Sequence, residues 1–476
     1  MYHAILATVK QESKPPPNQQ DGRRVRRSLT TIPTTAIIIA SVIGTGVFVK
    51  AKVMIVNVQT PGMVLLVYLL AGLLTLCGSL IYAELSTMMP RTGGQFNFIG
   101  AAFGRRFAFL SAWTAFCASI AGTAAVAILT VIFLNDFLGG TLSPQALKLL
   151  PILIIFSVTL LNLASVRAMG WIATVMTLIK VTLIMMISVI AFQTAQGSWS
   201  FYAMTSTESL NEVASILPSG GVGGFSAAML GALWSYAGWN FIATIAGEVK
   251  NPSLTLPRSL LGSTTLIIAV YILINIAYFF ALSPSEIANI PEGRSVAAIV
   301  VESVSSPFMV VVIGAGLFIS SLGTMHSSLL TDSRVPYTLA RKGLAPQALA
   351  RLSHQNVPTH SVLTIGIGGM AMASTGSFDV LTDLCIFITW IFFAMAAGSL
   401  FVLRKTQPNA HRPYRVWGYP VIPALYIAAI LFLLVNTFIA MPKQSIAGLL
   451  LVGIGLPVYA YFARKLKPDH PSDYLT

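Results

Sequence analysis

The chain has 476 residues, 55% of them hydrophobic and only 9% charged, with a mean hydropathy of +0.79. Soluble globular proteins carry about 25% charged residues, so the deficit, with apolar runs of about 20 residues recurring throughout, describes a polytopic helical membrane protein and excludes a soluble domain. The formal net charge of +14 would suit a polyanion, but it is spread over many loops and reads instead as a topology signal.

In chain order, residues 1–29 are polar, with Pro15-Pro16-Pro17 followed by Arg23, Arg24, Arg26 and Arg27. No apolar core precedes a small-residue cleavage site, so this stretch is expected to be a disordered cytoplasmic tail and not a signal peptide. Apolar segments predict twelve spans, over 30–50, 62–88, 107–134, 148–166, 169–193, 221–248, 258–282, 306–335, 360–374, 378–403, 420–440 and 443–463. The expected organisation is a transporter core over 30–403, two further spans over 404–463 and a cytoplasmic tail over 464–476. With the N-terminus inside, 23 of the 29 Lys and Arg fall on the cytoplasmic side. Lys50, Lys52, Lys148, Arg294 and Lys443 fall outside, with Asp136, Glu208, Glu212, Glu286 and Glu292. This asymmetry predicts a multi-pass protein of the cell (inner or plasma) membrane, surrounded by lipid, with both termini cytoplasmic and no nucleic-acid partner. Cys77, Cys117 and Cys385 all lie within apolar segments. No disulfide framework is implied, within the chain or to a partner.

The first span, Ile37-Ile-Ile-Ala-Ser-Val-Ile-Gly-Thr-Gly-Val-Phe-Val49, places Gly44 and Gly46 around Thr45 at mid-depth. Two glycines in one turn predict an interrupted helix, and hydrocarbon tolerates freed backbone groups only where they line a cavity. The sixth span repeats the weakness in Leu233-Trp-Ser-Tyr-Ala-Gly-Trp-Asn-Phe241, where Ser235, Tyr236, Gly238 and Asn240 break the apolar run. Weak points five spans apart point to an inverted-repeat transporter with its site at the midplane. No residue-level similarity between the halves supports the repeat, which is inferred from spacing.

Broken helices suit a zwitterion. The start of an outer half-helix offers N–H groups and a positive dipole end to a carboxylate, assigned here to Thr45, Gly46 and Val47. The end of an inner half-helix offers carbonyls to an ammonium, assigned near Ile43 and to Trp234, Ser235 and Ala237. The plainer alternative is that Gly44 and Gly46 only permit close helix packing. Lys180, in Thr177-Leu-Ile-Lys-Val-Thr182, is the basic residue deep within a span and therefore a functional candidate, with snorkelling toward an interface as the alternative. His326 on the eighth span titrates near neutrality. It is read either as a proton-coupling or substrate-contacting group or as a histidine bonded between helices. Glu84, Glu248 and Asp332, near Arg91, Lys250, Arg258 and Arg334, are read as inner-gate ion pairs or as solvated interface charges. No nucleophile–base pair or metal-ligand cluster is evident, and His354 and His360 lie on a basic inner loop without an acidic partner. Neither an enzyme nor a metal or other cofactor is expected.

The chain resembles members of the amino acid/polyamine/organocation superfamily, and most nearly the L-amino-acid transporter branch. The resemblance is carried by Ile43-Gly-Thr-Gly-Val-Phe48, Tyr82-Ala-Glu-Leu85, Pro90-Arg-Thr-Gly-Gly-Gln-Phe96 and Tyr236-Ala-Gly-Trp-Asn240. It continues in Gly247-Glu-Val-Lys-Asn-Pro252, Leu256-Pro-Arg258, Asn275-Ile-Ala-Tyr278, Ser333-Arg334, Arg412-Pro-Tyr-Arg-Val416 and Gly418-Tyr-Pro420. It implies an all-α LeuT-type fold of 12 transmembrane helices, a 5+5 inverted repeat with helices 1 and 6 broken, plus two C-terminal helices. It also implies an aromatic gate at Trp234 and sodium-independent transport, with Lys180 filling the place of a sodium ion and bridging the first and eighth spans. Ala237 stands where many relatives have glycine, and His326 where the branch often has asparagine. Relatives that pair with a glycoprotein subunit use a cysteine between the third and fourth spans, which is absent here, so no disulfide-linked heavy subunit is expected. The expected function is alternating-access transport of neutral L-amino acids by sodium-independent exchange or facilitated uptake. Proton-coupled import of amines or amino acid derivatives and a membrane amino acid sensor are the alternatives.

Overall fold

A computed structural model describes residues 27, 29–44, 46–91, 93–164, 169–194, 197–202, 222–305, 307–353, 357–375, 378–464 and 466. Thr45, Glu208, Glu212, His354 and nearly all of both expected tails lie outside the described residues. The described chain is helical. Its one β pairing is an isolated bridge in which Leu29 donates to Glu248 O and Lys250 donates to Leu29 O, at 3.1 and 2.8 Å.

The helices are α1 (Thr31–Val42), α2 (Lys50–Val58), α3 (Pro61–Met88), α4 (Gln95–Phe103), α5 (Arg105–Phe137), α6 (Pro144–Ala164), α7 (Met169–Phe192), α8 (Val222–Ser235) and α9 (Phe241–Thr244). They continue with α10 (Pro252–Ala281), α11 (Pro284–Ala288), α12 (Val296–Val304), α13 (Pro307–Asp332), α14 (Arg334–Arg341), α15 (Thr359–Thr375), α16 (Phe378–Thr406), α17 (Val421–Ala440) and α18 (Pro442–Ala463). Starts follow local chemistry, as at α3, where Pro61 takes the first turn and the Thr60 hydroxyl accepts from Met63 N. Among the described residues, 8 helices are long and apolar enough to cross a membrane, and α1, the Thr177–Phe192 part of α7 and α8 are shorter apolar helices.

Burial separates an inner set from an outer one. The apolar window of α5 is 67% buried and that of α18 only 11%, so α5 is an internal post and α18 a peripheral helix. α5 packs against α13, α16, α15 and α6, while α3 packs on α10 and α1 lies between α7 and α10. Outward faces keep large apolar side chains such as Leu161, Ile439 and Leu450 exposed, as a lipid-facing surface requires.

One predicted span is corrected, and another is interrupted where expected. The first was expected to end at residue 50, with Lys50 and Lys52 counted on the outer side. Instead α1 stops at Val42 and α2 carries both lysines onward to Val58. The sixth, expected over 221–248 with a break at Ser235–Asn240, stops at Ser235, passes through a non-helical turn and resumes as the single turn of α9 and a 3-10 turn over Ala246–Glu248.

Candidate functional site

Both glycine-marked weak points are helix interruptions, and they touch. α1 ends at Val42, a short 3-10 turn runs from Gly46 to Phe48, and α2 begins at Lys50. A Cβ on Gly46 would meet Ser235 Oγ at 2.7 Å and Trp234 Cδ1 at 3.0 Å. On the other side, Gly238 has φ +109°, and a Cβ there would sit 2.6 Å from the Ser41 carbonyl oxygen. Glycine is required at both places because there is no room for a Cβ, against Ser235 and Trp234 at Gly46 and against the Ser41 backbone at Gly238. At Gly44 the added atom would find only Val42 O at 3.7 Å, so that glycine opens onto free space.

The freed carbonyls of α1 are answered by neighbouring helices. Lys180 Nζ donates to Ala40 O at 2.9 Å and is 1% exposed. The Tyr271 hydroxyl lies 3.0 Å from Val42 O and 2.9 Å from Ser235 O, spanning the ends of α1 and α8. Ala237 N donates to Trp234 O at 3.0 Å. A carbonyl has a second lone pair, so Ser235 O and Trp234 O keep capacity for another donor.

Below the breaks lies a cavity of about 290 Å³, at the small end for a ligand site and sufficient for one small molecule. Gly44, Gly46, Trp234, Ser235, Ala237 and Gly238 line it. Ile43 and Val47 are fully buried beside it, and neither side chain forms its wall. The Tyr236 side chain is turned the other way, its hydroxyl donating to Tyr68 O at 3.1 Å and its ring tilted on Tyr271 at 5.0 Å. From α13 the wall takes Thr324, Met325 and Ser328. His326 is not in the wall, is half-buried and makes no hydrogen bond among the described residues. Lys180 reaches the first helix but forms no bond to α13 among the described residues, which gives one side of the expected bridge.

The cavity extends toward the face where the chain enters at Leu29, its wall there including Gln95, Thr244, Arg334 and Thr338. The opposite face is closed. Lys50, 1% exposed at the first turn of α2, donates to Asp379 Oδ1 at 2.7 Å and to Thr382 at 2.8 Å, and lies 4.6 Å over the Phe378 ring. Phe378 meets Trp234 edge-on at 6.3 Å, which makes Trp234 the roof of the cavity. This closure was not foreseen: Lys50 was placed outside among the loop charges, and the only hint was a charge so close to a glycine break. Gln95 was also missed, although it lies in a quoted motif. It accepts from Tyr82 at 2.7 Å and donates to Ser111 at 3.1 Å in the wall.

The acidic residues separate. Glu84, fully buried, takes both Arg404 nitrogens at 2.9 and 2.6 Å, and Val416 N at 2.7 Å. Its partners are thus Arg404 and, at 3.6 Å, Arg412, instead of the expected Arg91. This tie joins α3 to α16 and the loop before α17. Glu248 stands 3.6 Å from Arg334, as a loose pair at the mouth. Asp332 lies in the cavity wall.

Comparison with known proteins accounts for this arrangement. A family model described as amino acid permease matches residues 29–458. The serine/threonine exchanger SteT of Bacillus subtilis is 31% identical over 441 residues, covering 90% of this chain and 95% of the relative. The human cystine/glutamate transporter is 28% identical over 94% of this chain and 88% of its own length. The mouse Asc-type amino acid transporter 1 is 28% identical over 91% and 81%. A helix-lined cavity headed by two interrupted helices, within a match spanning almost the whole sequence, identifies the chain as a multi-pass membrane protein belonging to the amino acid permease family of the amino acid/polyamine/organocation superfamily.

Proposed function

We propose that the chain is a secondary-active carrier that moves neutral L-amino acids across the cell membrane by alternating access, as a sodium-independent exchanger. In this reading it makes twelve crossings in a LeuT-type 5+5 inverted repeat plus two C-terminal helices, with both termini cytoplasmic. The open cavity then faces the cytoplasm. The substrate carboxylate sits on the N–H groups of Thr45, Gly46 and Val47, and its ammonium on the carbonyls of Ile43, Trp234, Ser235 and Ala237.

The observation that carries this reading is the mutual contact of the two interruptions through Gly46 and Gly238. A zwitterion has opposite charges a few bonds apart, and two adjoining helix ends of opposite polarity replace water at both. Lys180 supports sodium independence, because a buried ammonium already occupies the carbonyl end of α1. The relatives' printed names, which include a serine/threonine exchanger, favour exchange of small neutral substrates. All three cysteines lie within helices, in keeping with a carrier that has no disulfide-linked partner.

The test is uptake of labelled alanine, serine or leucine into proteoliposomes preloaded with unlabelled amino acid. Exchange predicts that internal substrate accelerates uptake and that replacing sodium with choline leaves the rate unchanged. Absence of trans-stimulation by every internal amino acid tried would falsify exchange.

A further inference from the structure

Two charged side chains line the cavity, Arg334 and Asp332. Arg334 faces Glu248, so part of its charge is answered. Asp332, the last residue of α13, makes no ion pair among the described residues. It meets the Ser119 hydroxyl of α5, which donates to Ala115 O at 2.8 Å. A neutral hydroxyl does not balance the charge of this partly buried carboxylate. The neighbouring carboxylate, Asp383, is outside the cavity wall and faces Lys50.

Asp332 also lies close beneath the roof. The Trp234 ring tip rests against Gly122, where an added Cβ would be 3.9 Å away. Ser119, the residue that meets Asp332, precedes Gly122 by three residues on α5, a rise of roughly 4.5 Å. Cys385 of α16 closes the same pocket, its thiol donating to Ala118 O at 3.3 Å. A side chain extending from an α-carbon held at the helix breaks therefore points into a compartment with one unanswered negative charge about one helical turn below Trp234.

We propose that Asp332 is a specificity-determining residue that receives the ammonium or guanidinium at the end of a substrate's side chain, so that the carrier accepts cationic amino acids as well as neutral ones. This rests on the carrier reading above and extends it to a substrate class. Formation of the ion pair supplies the charge the empty wall lacks, and a neutral side chain of equal length cannot do so.

Arginine and citrulline separate charge from shape, since they differ chiefly in the guanidinium. Apparent affinities are measured by ligand-induced thermal stabilisation of the purified full-length protein, with alanine as the neutral reference. The expected result is at least about a tenfold preference for arginine over citrulline in the wild type, collapsing to within about twofold in Asp332→Asn and kept in Asp332→Glu. Equal affinities in the wild type overturn the proposal whatever the variants do. A preference that survives in Asp332→Asn, or equal weakening of alanine and arginine, overturns it too. Binding of alanine without arginine would remove this inference and leave the carrier reading standing. Failure of the wild type to bind any of the three would remove both.

Discussion

The two ends of the cavity differ: one is sealed and the other is open, with only a loose ion pair at its mouth. On the far face a buried lysine is held at 2.7 Å to a half-exposed carboxylate, bonded to a buried threonine and laid over an aromatic ring that in turn supports Trp234. On the face where the chain enters, the corresponding charges, Glu248 and Arg334, stand 3.6 Å apart and partly exposed. A solvent-screened pair of that kind contributes about 0–1 kcal/mol, whereas hydrogen bonds to a charged, buried group contribute about 1.5–3 kcal/mol each. In the proposed alternating-access reading, the contrast is one of two states, with the strong closure made and the weak one released. A carrier must be able to exchange these roles, so the energy difference between the two ends has to stay within reach of substrate binding.

The most damaging way to break the comparison is to separate the interruptions on which both closures bear. Gly238→Ala puts a Cβ into Ser41 O and imposes a positive φ on alanine. Uptake is expected to fall about a hundredfold or more, with protein yield and gel-filtration profile as the control for folding.

Asp379→Ala sharpens the comparison directly. Asp379 is itself 47% exposed, so the loss is at the low end, about 1.5 kcal/mol, and multiplies the far-open population roughly twelvefold. With Cys77 and Cys117 replaced by serine, labelling of Cys385 in the cavity wall by an impermeant thiol reagent from the far side should rise accordingly. Unchanged labelling would mean that the Lys50 pair is not the closure. Lys180→Ala removes the donor to Ala40 O and leaves the end of α1 to rearrange. Exchange is expected to slow about tenfold, measured as initial uptake rate, and a normal rate would retire Lys180 from the machinery. Arg334→Ala should change uptake by no more than about threefold, since it deletes only a long, screened pair.

Much of the frame was legible in the sequence because its signals are local. Apolar run length located the helices, and Gly44, Gly46 and Gly238 marked the interruptions, since glycine weakens a helix wherever the backbone must open. What escaped was non-local. Lys50 pairs with a residue 329 positions away and Glu84 with one 320 positions away, and nothing near either residue names its partner. Lys50 was placed outside among the loop charges, whereas its pairing with Asp379 lets α2 carry it. Tyr236 sits in the broken segment yet turns into a cluster with Tyr68 and Tyr271. His326 falls between cavity-lining neighbours on α13. In both cases the helical face decides, and the motif reading carried no register.

Tyr271 carries one further consequence. A phenol owns a single proton, and here it is offered to the last carbonyls of two different half-helices at once. Any displacement that draws these ends apart forfeits a buried hydrogen bond on at least one side, while a displacement that carries them together costs nothing at that point. The unwound pair is thus fastened to a common pivot on α10, and in the proposed alternating-access cycle the swing is left to the helices that surround it.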